Sequence, residues 1–275
     1  MGFAINHNVA SVNTLGSLDK TTSAISKSMQ KLSTGLRIVK AGDDASGLVI
    51  SERMRAQITS LETAKLNANE GISMLTTAEG ALNEISSILQ RMRTLAVRAS
   101  QDVTLGATEL GEMDAEDADL ALEIDRITSY VEFNGKKLFD GTLSGALHVG
   151  PNETPAEDEI AVTVAAMDAT SLGVNANDLT TNATALAAIT AIDTAIDTVT
   201  DIRGDLGVTM NRLEHTVANL DVMIENTTAS ESRIRDVDMA VEISNFTRLQ
   251  ILQQSTTSML AQANAQPQAV LQLLQ

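Results

Sequence analysis

The segment LETAKLNANEGISMLTTAEGALNEISSILQRMRTLAVRAS (61–100) carries an apolar residue or an alanine at every third or fourth position. That spacing places one apolar stripe along an α-helix. The stripe begins at Ile58, and Asp44 stands ahead of it as an N-cap. The first proline of the chain is Pro151, so no proline interrupts a helix over 44–100. Such a helix spans roughly 85 Å at about 1.5 Å per residue, and the sequence therefore predicts an elongated molecule.

A second apolar stripe of similar length begins near Thr184. Two long stripes separated by a chain reversal predict an antiparallel coiled coil or bundle. Gly71 and Gly80 lie inside the first stripe, where glycine costs roughly 1 kcal/mol against alanine, and we expect close packing at both. Shorter helices are predicted over 8–32, 108–130 and 235–263. The second stripe consists of Leu186, Ile189, Ile192, Ile196, Val199, Ile202, Leu206, Met210, Leu213, Val217, Leu220 and Ile224.

The interval between the stripes has the sequence of a small β element. Asn134-Gly135 and Asp140-Gly141 are turn signals, because these pairs suit the positive φ angles of tight hairpins. Alternating apolar residues then predict a strand at Ile160, Val162 and Val164. The predicted fold class is mainly α: an elongated rod of long antiparallel coiled-coil helices, with paired N- and C-terminal helices and a β-rich excursion over about 131–180.

Both ends of the chain are nearly free of charge. Residues 249–275 contain no Asp, Glu, Lys or Arg, and His7 is the only titratable side chain in 1–18. The whole chain nevertheless has a net charge of -17, and 20% of its residues are charged. A helix without ions can be surrounded by neighbours at no cost of desolvating a charge. The helices also follow one another in a nearly palindromic order, which brings the ends together. We therefore expect both ends to be enclosed in an assembly of many copies.

The composition argues against several classes of protein. The acidic balance opposes binding to nucleic acid or anionic lipid, and the absence of cysteine excludes disulfides and thiolate metal sites. We find no membrane-spanning stretch and no cleavable signal peptide, so an exported chain would need another route. Acidic residues crowd 108–130, where a solvated helix face is the first interpretation and calcium binding the alternative. Because the EF-hand ligand order is missing, we predict no metal.

Two rival classes, an enzyme and a membrane-active helical protein, find little support. The three histidines, His7, His148 and His215, lie in different segments, and no GxG, GK[ST] or HExxH pattern occurs. We therefore predict no catalytic residues and no cofactor. The C-terminus is apolar, as in a membrane-active protein, but it lacks the Lys and Arg of interfacial helices. The apolar residues in question are Leu271, Leu273 and Leu274.

Long blocks of the sequence resemble bacterial flagellin, the subunit of the flagellar filament. The N-terminal blocks are LSTGLRIVKAGDDASGLVISERMRAQI (32–58), GISMLTTAEGALNEISSILQRMRTLAV (71–97) and EIDRITSYVEFNGKKLFDG (123–141). The C-terminal blocks are ANLDVMIENTTASESRIRDVDMA (218–240) and SMLAQANAQPQAVLQLL (258–274). They occur in family order at family spacing. The resemblance implies a self-assembling filament subunit that serves swimming motility. The alternative within the family is a hook–filament junction protein, against which the unbroken blocks argue.

The resemblance also implies a division of the chain. Residues 1–42 and 236–275 are expected to form the inner-tube domain, and 43–235 the surrounding helical rod domain without large outer domains. Export unfolded through the flagellar type III apparatus is expected, with a chaperone on the C-terminal helix and filament cap and hook–filament junction proteins as further partners. The residues expected to pack in the inner tube are Val12, Leu15, Leu18, Ile25, Met29, Leu32, Ile243, Phe246, Leu249, Leu252, Met259 and Leu260.

The same resemblance implies a surface read by the flagellin-sensing Toll-like receptor of animal hosts. Position 94 is Thr, where the family motif usually has Glu, and this departure weakens the match. A second interpretation, given equal weight, is that the residues of this surface build contacts between subunits. The two roles are compatible. The residues are Leu89, Gln90, Arg91, Arg93, Leu95 and Glu116.

Overall fold

A computed structural model describes residues 7–101 and 105–273, without the side chains of 155–156 and 267–273. The apolar residues Leu271, Leu273 and Leu274 therefore lie outside the described side chains. Most of the described chain is helical, and the β structure is limited to two small hairpins, so the predicted mainly-α fold class is confirmed. The helices are α1 Val9–Thr34, α2 Ala45–Ala99, α3 Ala107–Tyr130, α4 Pro155–Asp158, α5 Asn182–Arg235 and α6 Met239–Leu273. The strands are β1 Glu132–Phe133, β2 Lys136–Lys137, β3 Ser144–His148 and β4 Glu159–Thr163.

The ends of the helices follow from side-chain caps. Asn8 accepts a hydrogen bond from the Ser11 N–H at 3.0 Å and starts α1. Gly35, with φ of 73°, ends α1 in the left-handed conformation that glycine adopts without strain. Asp44 accepts from the Gly47 N–H at 2.9 Å and precedes α2 as predicted. The prediction of a last helix over 235–263 is wrong at both ends.

Asp238 explains where α6 begins. Its carboxylate accepts from the Ala240 N–H at 2.9 Å and the Val241 N–H at 3.2 Å, so α6 starts at Met239. The helix then continues to Leu273. Ala, Leu and Gln, all good helix formers, dominate this part of the sequence.

The chain divides into two compact units. Unit 1 comprises residues 1–58 and 226–275, and unit 2 comprises 59–225. These boundaries fall within α2 and α5, whereas the predicted division at 42 and 236 falls close to helix ends. The predicted division concerns the assembled filament, and for that state it stays a prediction.

Unit 2 contains a continuous apolar core. The long helices α2 and α5 are antiparallel within it, as predicted. Three ion pairs join them, and the residue numbers of the partners increase along α2 while they decrease along α5. The pairs are Lys65–Asp221, Glu79–Arg203 and Arg93–Asp193. The core side chains of α2 recur at the predicted stripe positions, and α3 and both hairpins add to them. On α5 the predicted stripe is confirmed from Ile192 onwards, but it is wrong at Leu186, which is 53% exposed, because Ala185 and Ala188 face the core in the first turns of this helix. Fully buried members include Leu75, Leu82, Ile85, Leu89, Met92, Ile124, Phe139, Ile192 and Leu213.

Two hairpins are present, one at the predicted Asn134-Gly135 turn. The prediction of a hairpin turn at Asp140-Gly141 is wrong: Gly141 has the positive φ of 73°, but β2 and β3 on either side of it do not pair, and residues 149–158 connect the second hairpin. In the first, Asn134 (φ 49°) and Gly135 (φ 75°) form the turn between β1 and β2. In the second, β3 pairs with β4 over five residues. Leu147 of β3 packs so closely on Gly71 of α2 that a Cβ there would lie 2.5 Å from its Cδ1. Close packing is thus confirmed at Gly71. The prediction of close packing is wrong at Gly80, where a Cβ would meet nothing within 4 Å.

Three aspartates on α3 bind the segment 168–179 instead of facing solvent. Asp125 accepts from the Ala169 N–H at 2.7 Å, and Asp114 accepts from the Leu179 N–H at 2.8 Å. Asp117 is 2% exposed, and its Oδ2 lies 3.3 Å from the Asn177 Nδ2. Its Oδ1 has no hydrogen-bond partner among the described residues. Burial raises the pKa of Asp117 to about 6, with the Asp114 charge adding to the effect and the Asn177 bond opposing it. A purely solvated acidic face is therefore wrong for these three residues.

Helix α5 is long and apolar enough, by length and composition alone, to qualify as a candidate membrane span. The expectation that no stretch approaches a span was thus too strong. A core helix satisfies the same criterion, and α5 buries Ile192, Val199 and Leu206 in unit 2. In the described ranges, no group of three or more His, Cys, Asp or Glu side chains is placed to hold a metal ion.

Candidate assembly surface

Helices α1 and α6 pack against each other in unit 1 as an antiparallel pair. At one end, the Asn8 side chain donates to the Ala263 carbonyl at 2.7 Å. At the other end, the Val237 N–H donates to the Gly35 carbonyl at 3.0 Å. The predicted pairing of the terminal helices is therefore present in the single chain, and α1 and α6 together are called the terminal helix pair below.

The less exposed side chains of each helix define a seam with coiled-coil spacing. Their positions advance by alternating steps of three and four residues, which is the heptad pattern of a left-handed coiled coil. On α1 the seam positions are Ser11, Thr14, Leu18, Thr21, Ile25, Ser28 and Leu32. On α6 they are Glu242, Phe246, Leu249, Gln253, Thr256, Leu260 and Ala263.

Half of this seam is polar. Ser28, the one fully buried residue of α1, donates a short hydrogen bond to the Glu242 carboxylate. Asn245 donates to the same carboxylate oxygen at 3.3 Å. Ser11 donates to the Asn264 side-chain oxygen at 2.8 Å near the other end. Both hydrophobic clusters of the described residues lie in unit 2 and include no member of α1 or α6. The pair is thus joined with little apolar burial.

The structure divides the twelve predicted inner-tube residues into two equal sets. Six occupy the seam: Leu18, Ile25, Leu32, Phe246, Leu249 and Leu260. The other six are exposed in the single chain: Val12, Leu15, Met29, Ile243, Leu252 and Met259. Their role in the inner tube stays a prediction, because the single chain contains no neighbouring subunit.

Further apolar side chains of the terminal helix pair are exposed beside those six. Val241 is 65% exposed, and Val9 and Ile251 are each 62% exposed. Ile251 and Leu252 are adjacent in sequence, so α6 presents apolar side chains on more than one face, which is typical of a helix surrounded by neighbours. The exposed set, called the terminal apolar surface below, comprises Val9, Val12, Leu15, Met29, Met239, Val241, Ile243, Ile251, Leu252 and Met259.

Charged residues of unit 1 lie at the end of α5, in the first turns of α2 and in the segment that joins α1 to α2. Arg235 donates to Glu52 at 2.6 Å, and this bond lowers the pKa of Glu52. The Lys40 and Val39 N–H groups lower the pKa of Asp43 by donating to its carboxylate. All of these ions lie outside the charge-free segment 249–275.

The receptor-type surface predicted from the resemblance lies on α2 and α3 of unit 2. Arg91 donates to Glu116 Oε1 from Nε at 2.8 Å and from Nη2 at 2.5 Å. Arg93 donates to Asp193 at 2.5 Å, and this bond raises the pKa of Arg93. The Thr94 hydroxyl donates to the Gln90 carbonyl at 2.9 Å within its own helix. The exposed side chains of Arg91 and Thr94 border an open groove of about 260 Å³, which we call the Arg91 groove.

Two of the predicted surface residues are not exposed. Leu89 is 0% exposed, because it continues the apolar stripe of α2 into the core, so its assignment to the surface is wrong. Leu95 is 4% exposed and forms the floor of the Arg91 groove together with Met113. Gln90, Arg91, Arg93 and Glu116 remain accessible as predicted.

Sequence reasoning missed the polar half of the seam. An apolar stripe does not include Ser11, Thr14, Thr21 and Ser28, because these residues are polar. Their spacing carried the signal, since together with the three apolar residues they complete an uninterrupted three-four alternation. Glu242 was missed for the same reason, although it is the only charged residue of the seam.

An apolar core in one unit and an exposed apolar surface on the paired terminal helices are the features expected of a structural subunit of an assembly. Comparison with known families identifies which one. The model of the bacterial flagellin N-terminal helical region matches residues 5–144, and that of the C-terminal helical region matches residues 189–274. The chain belongs to the bacterial flagellin family, a family of structural proteins, and it is a subunit that polymerises into the extracellular flagellar filament.

Full-length relatives agree with this assignment. Flagellin of Halalkalibacterium halodurans is 48% identical, covering 98% of this chain and 99% of that protein. Flagellin of Bacillus subtilis is 47% identical with the same coverage. The crystal structure of Bacillus cereus flagellin has 32% identity and a TM-score of 0.50, covering 56% of this chain and 88% of that one. A hook-associated protein structure from Vibrio parahaemolyticus, at 14% identity and a TM-score of 0.60, shares the fold alone. Nothing favours the junction-protein alternative.

Proposed function

We propose that the terminal apolar surface packs against other copies of the chain to form the inner tube of the filament. On this proposal, residues 1–42 and 236–275 form the inner-tube domain, and residues 43–235 form the surrounding rod domain. The observation that carries the proposal is the exposure of ten apolar residues on helices that end in a charge-free segment. Burying them between copies stabilises the polymer by about 25 cal/mol per Å² of apolar area.

Seeded polymerisation tests this proposal. Ile251 is 62% exposed and lies within the charge-free segment, so Ile251→Asp would bury a carboxylate between copies and is expected to prevent elongation. Ile251→Leu keeps the position apolar and is expected to elongate normally. Val208→Asp makes the same change at a 60% exposed residue of unit 2 and shows whether any added charge has this effect. Normal elongation of Ile251→Asp would refute the proposal.

We infer that the chain is exported unfolded through the flagellar type III apparatus, with an export chaperone holding α6 beforehand. Filament cap and hook–filament junction proteins are the proposed partners at the filament ends. Support comes from family membership and from the exposed apolar residues of α6, which a chaperone can cover before assembly. Co-purification of the full chain with the chaperone tests this inference. Binding is expected to fall for Leu252→Asp and to persist for Leu122→Asp, which alters an exposed leucine of α3.

We also propose that the Arg91 groove is read by the flagellin-sensing Toll-like receptor and takes part in subunit contacts. The Arg91–Glu116 pair presents a fixed guanidinium beside the short Thr94 side chain. Arg91→Ala is expected to weaken a cell-reporter response, whereas Thr94→Glu is expected to strengthen it. An unchanged response to Arg91→Ala would refute receptor recognition at this groove, and the polymerisation of the same variant reports on subunit contact separately.

We propose no catalytic role and no binding to nucleic acid or membrane. The proposal rests on membership in a structural family and on the net charge of -17. Flotation of the subunit with anionic liposomes at physiological salt tests the membrane part. Firm binding of the subunit would contradict it.

A further inference from the structure

The methionines of the described residues fall into an exposed set on the terminal helix pair and a less exposed set elsewhere. Met29, Met239 and Met259 are 55%, 44% and 60% exposed, and all three belong to the terminal apolar surface. The methionines of unit 2 in the described residues are half-buried or buried. They are Met74, Met92, Met113, Met167, Met210 and Met223. Met54, on the α2 part of unit 1, is also half-buried.

The composition leaves these thioethers as the principal targets of a mild oxidant. The chain contains no cysteine and no tryptophan, so no thiol or indole competes for the oxidant. Oxidation of methionine to its sulfoxide follows the exposure of the sulfur and converts an apolar side chain into a polar one. Exposure therefore directs the reaction to Met29, Met239 and Met259.

We propose that these three methionines form an oxidation site through which a peroxide controls the assembly of free subunits. In the reaction, a sulfur lone pair attacks one oxygen of hydrogen peroxide. An S–O bond forms and the O–O bond breaks. The sulfur is oxidised by two electrons, and the peroxide is reduced to water after proton transfer. The inference rests on the proposed packing of the terminal apolar surface against other copies.

The surroundings of Met259 explain why a sulfoxide would oppose packing. The neighbouring hydroxyls of Thr257 and Ser258 already donate to the Gln254 carbonyl, at 2.8 and 3.0 Å. A sulfoxide oxygen at Met259 would therefore find these donors occupied when a neighbouring copy excludes water. A buried acceptor without a donor opposes burial. The adjacent residue, Leu260, belongs to the seam of the terminal helix pair. The modified side chain would therefore lie at the edge of the contact between α1 and α6.

The experiment treats the full-length monomer and the finished filament with hydrogen peroxide and locates sulfoxides by peptide mass spectrometry. In the monomer, Met29, Met239 and Met259 are expected to react before the other methionines of the described residues. In the filament, their reaction is expected to slow. The critical concentration of the oxidised monomer is expected to rise about tenfold or more, where tenfold corresponds to 1.4 kcal/mol per subunit. Reduction by a mixture of both methionine sulfoxide reductase types is expected to restore assembly.

Variants link the modification to the effect. The triple variant Met29→Leu, Met239→Leu, Met259→Leu keeps apolar side chains of similar volume and is expected to assemble equally well with and without peroxide. The matched control, Met74→Leu, Met210→Leu, Met223→Leu, alters half-buried methionines of unit 2 and is expected to remain sensitive. Unchanged assembly after full oxidation of the three sites would overturn the inference. The inference would also be overturned if peroxide inhibited the assembly of the first triple variant as strongly as that of the natural chain. If the first triple variant fails to assemble without peroxide, the natural chain supplies the test: recovery of its assembly after reductase treatment supports the inference, and no recovery overturns it. Failure of the untreated natural chain to polymerise would instead refute the proposed function.

Discussion

Unit 2 and the terminal helix pair are both built from long helices, yet they place their apolar residues in opposite ways. In unit 2, the stripes of α2 and α5 face each other, and Leu82, Ile85 and Ile192 are fully buried. In the terminal helix pair, half of the seam is polar and ten apolar residues remain exposed. Unit 2 buries its core within one chain, whereas the terminal apolar surface is exposed in the single chain and, on the proposed function, is buried between copies. On that proposal, the same kind of helix serves folding in one unit and assembly in the other.

The largest expected effect comes from a charge in the seam. Leu260→Asp would place an unpaired carboxylate in the terminal helix pair, at a cost of several kcal/mol when neighbouring copies exclude water. We expect filament growth to stop. The thermal unfolding of unit 2 in the monomer is expected to remain unchanged, because Leu260 lies outside it.

Leu260→Met is the matched control for that variant and is expected to grow filaments. Electron microscopy after seeding scores both variants, and circular dichroism follows the monomer. Normal filaments from Leu260→Asp would show that the seam stays accessible to water in the polymer.

Two leucine truncations test this difference between unit 2 and the terminal helix pair in the monomer. Leu82→Ala removes a fully buried side chain of unit 2 and is expected to lower the free energy of unfolding by about 2–5 kcal/mol. Leu18→Ala removes a half-buried seam residue and is expected to cost the monomer less than about 1 kcal/mol. The same Leu18→Ala change is expected to raise the critical concentration for assembly. Urea titration and sedimentation measure the two quantities, and equal losses in monomer stability would contradict the comparison.

The pH dependence of unit 2 tests the burial of Asp117. Its folded pKa of about 6 lies above the ordinary value of 3.8. The carboxylate therefore opposes folding when it is charged, so stability falls as pH rises between these two values and levels off above the folded pKa. The full effect is up to about 3 kcal/mol, at 1.36 kcal/mol per pKa unit. We expect the urea midpoint of unit 2 to fall from about pH 5 to about pH 7.

Asp117→Asn is the control for that titration. The asparagine cannot ionise, and it can keep a polar contact with Asn177. Its urea midpoint is expected to change less over the same pH range than that of the natural chain. Parallel pH profiles for the two proteins would mean that Asp117 is not the group responsible.

The smallest expected effects concern two glycines of α2. Gly71→Ala would force Leu147 away from the helix, because the new Cβ would lie 2.5 Å from its Cδ1. Overpacking of this kind costs about 1–3 kcal/mol, from which the helix propensity of alanine subtracts up to about 1 kcal/mol. Gly80→Ala meets nothing within 4 Å and is expected to gain up to about 1 kcal/mol from helix propensity. Thermal unfolding of both variants measures the difference, and stabilisation by Gly71→Ala would show that the second hairpin does not pack there.

The long elements of this fold could be predicted from sequence because their determinants are local. The three-four spacing of α2, the Asn8 and Asp44 caps and the Asn134-Gly135 turn each depend on neighbouring residues. Determinants that are distant in sequence could not be found in this way. Nothing in the acidic run of α3 shows that Asp114 and Asp125 bind the segment 168–179. The partners of Ser28 and Leu89 likewise depend on which helices meet, and that is a property of the fold.

Hydrogen exchange of the monomer and the filament is the most direct test of the idea that the terminal helix pair completes its burial only in the polymer. We expect amides of α1 and α6 to exchange quickly in the monomer and to become strongly protected in the filament. Amides of α2 near Leu82 and of α5 near Ile192 are expected to exchange slowly in both states. Limited proteolysis should then cut the monomer up to about residue 40 and from about residue 236 onwards. Equal protection of α6 and the core of α2 in the monomer would contradict this account.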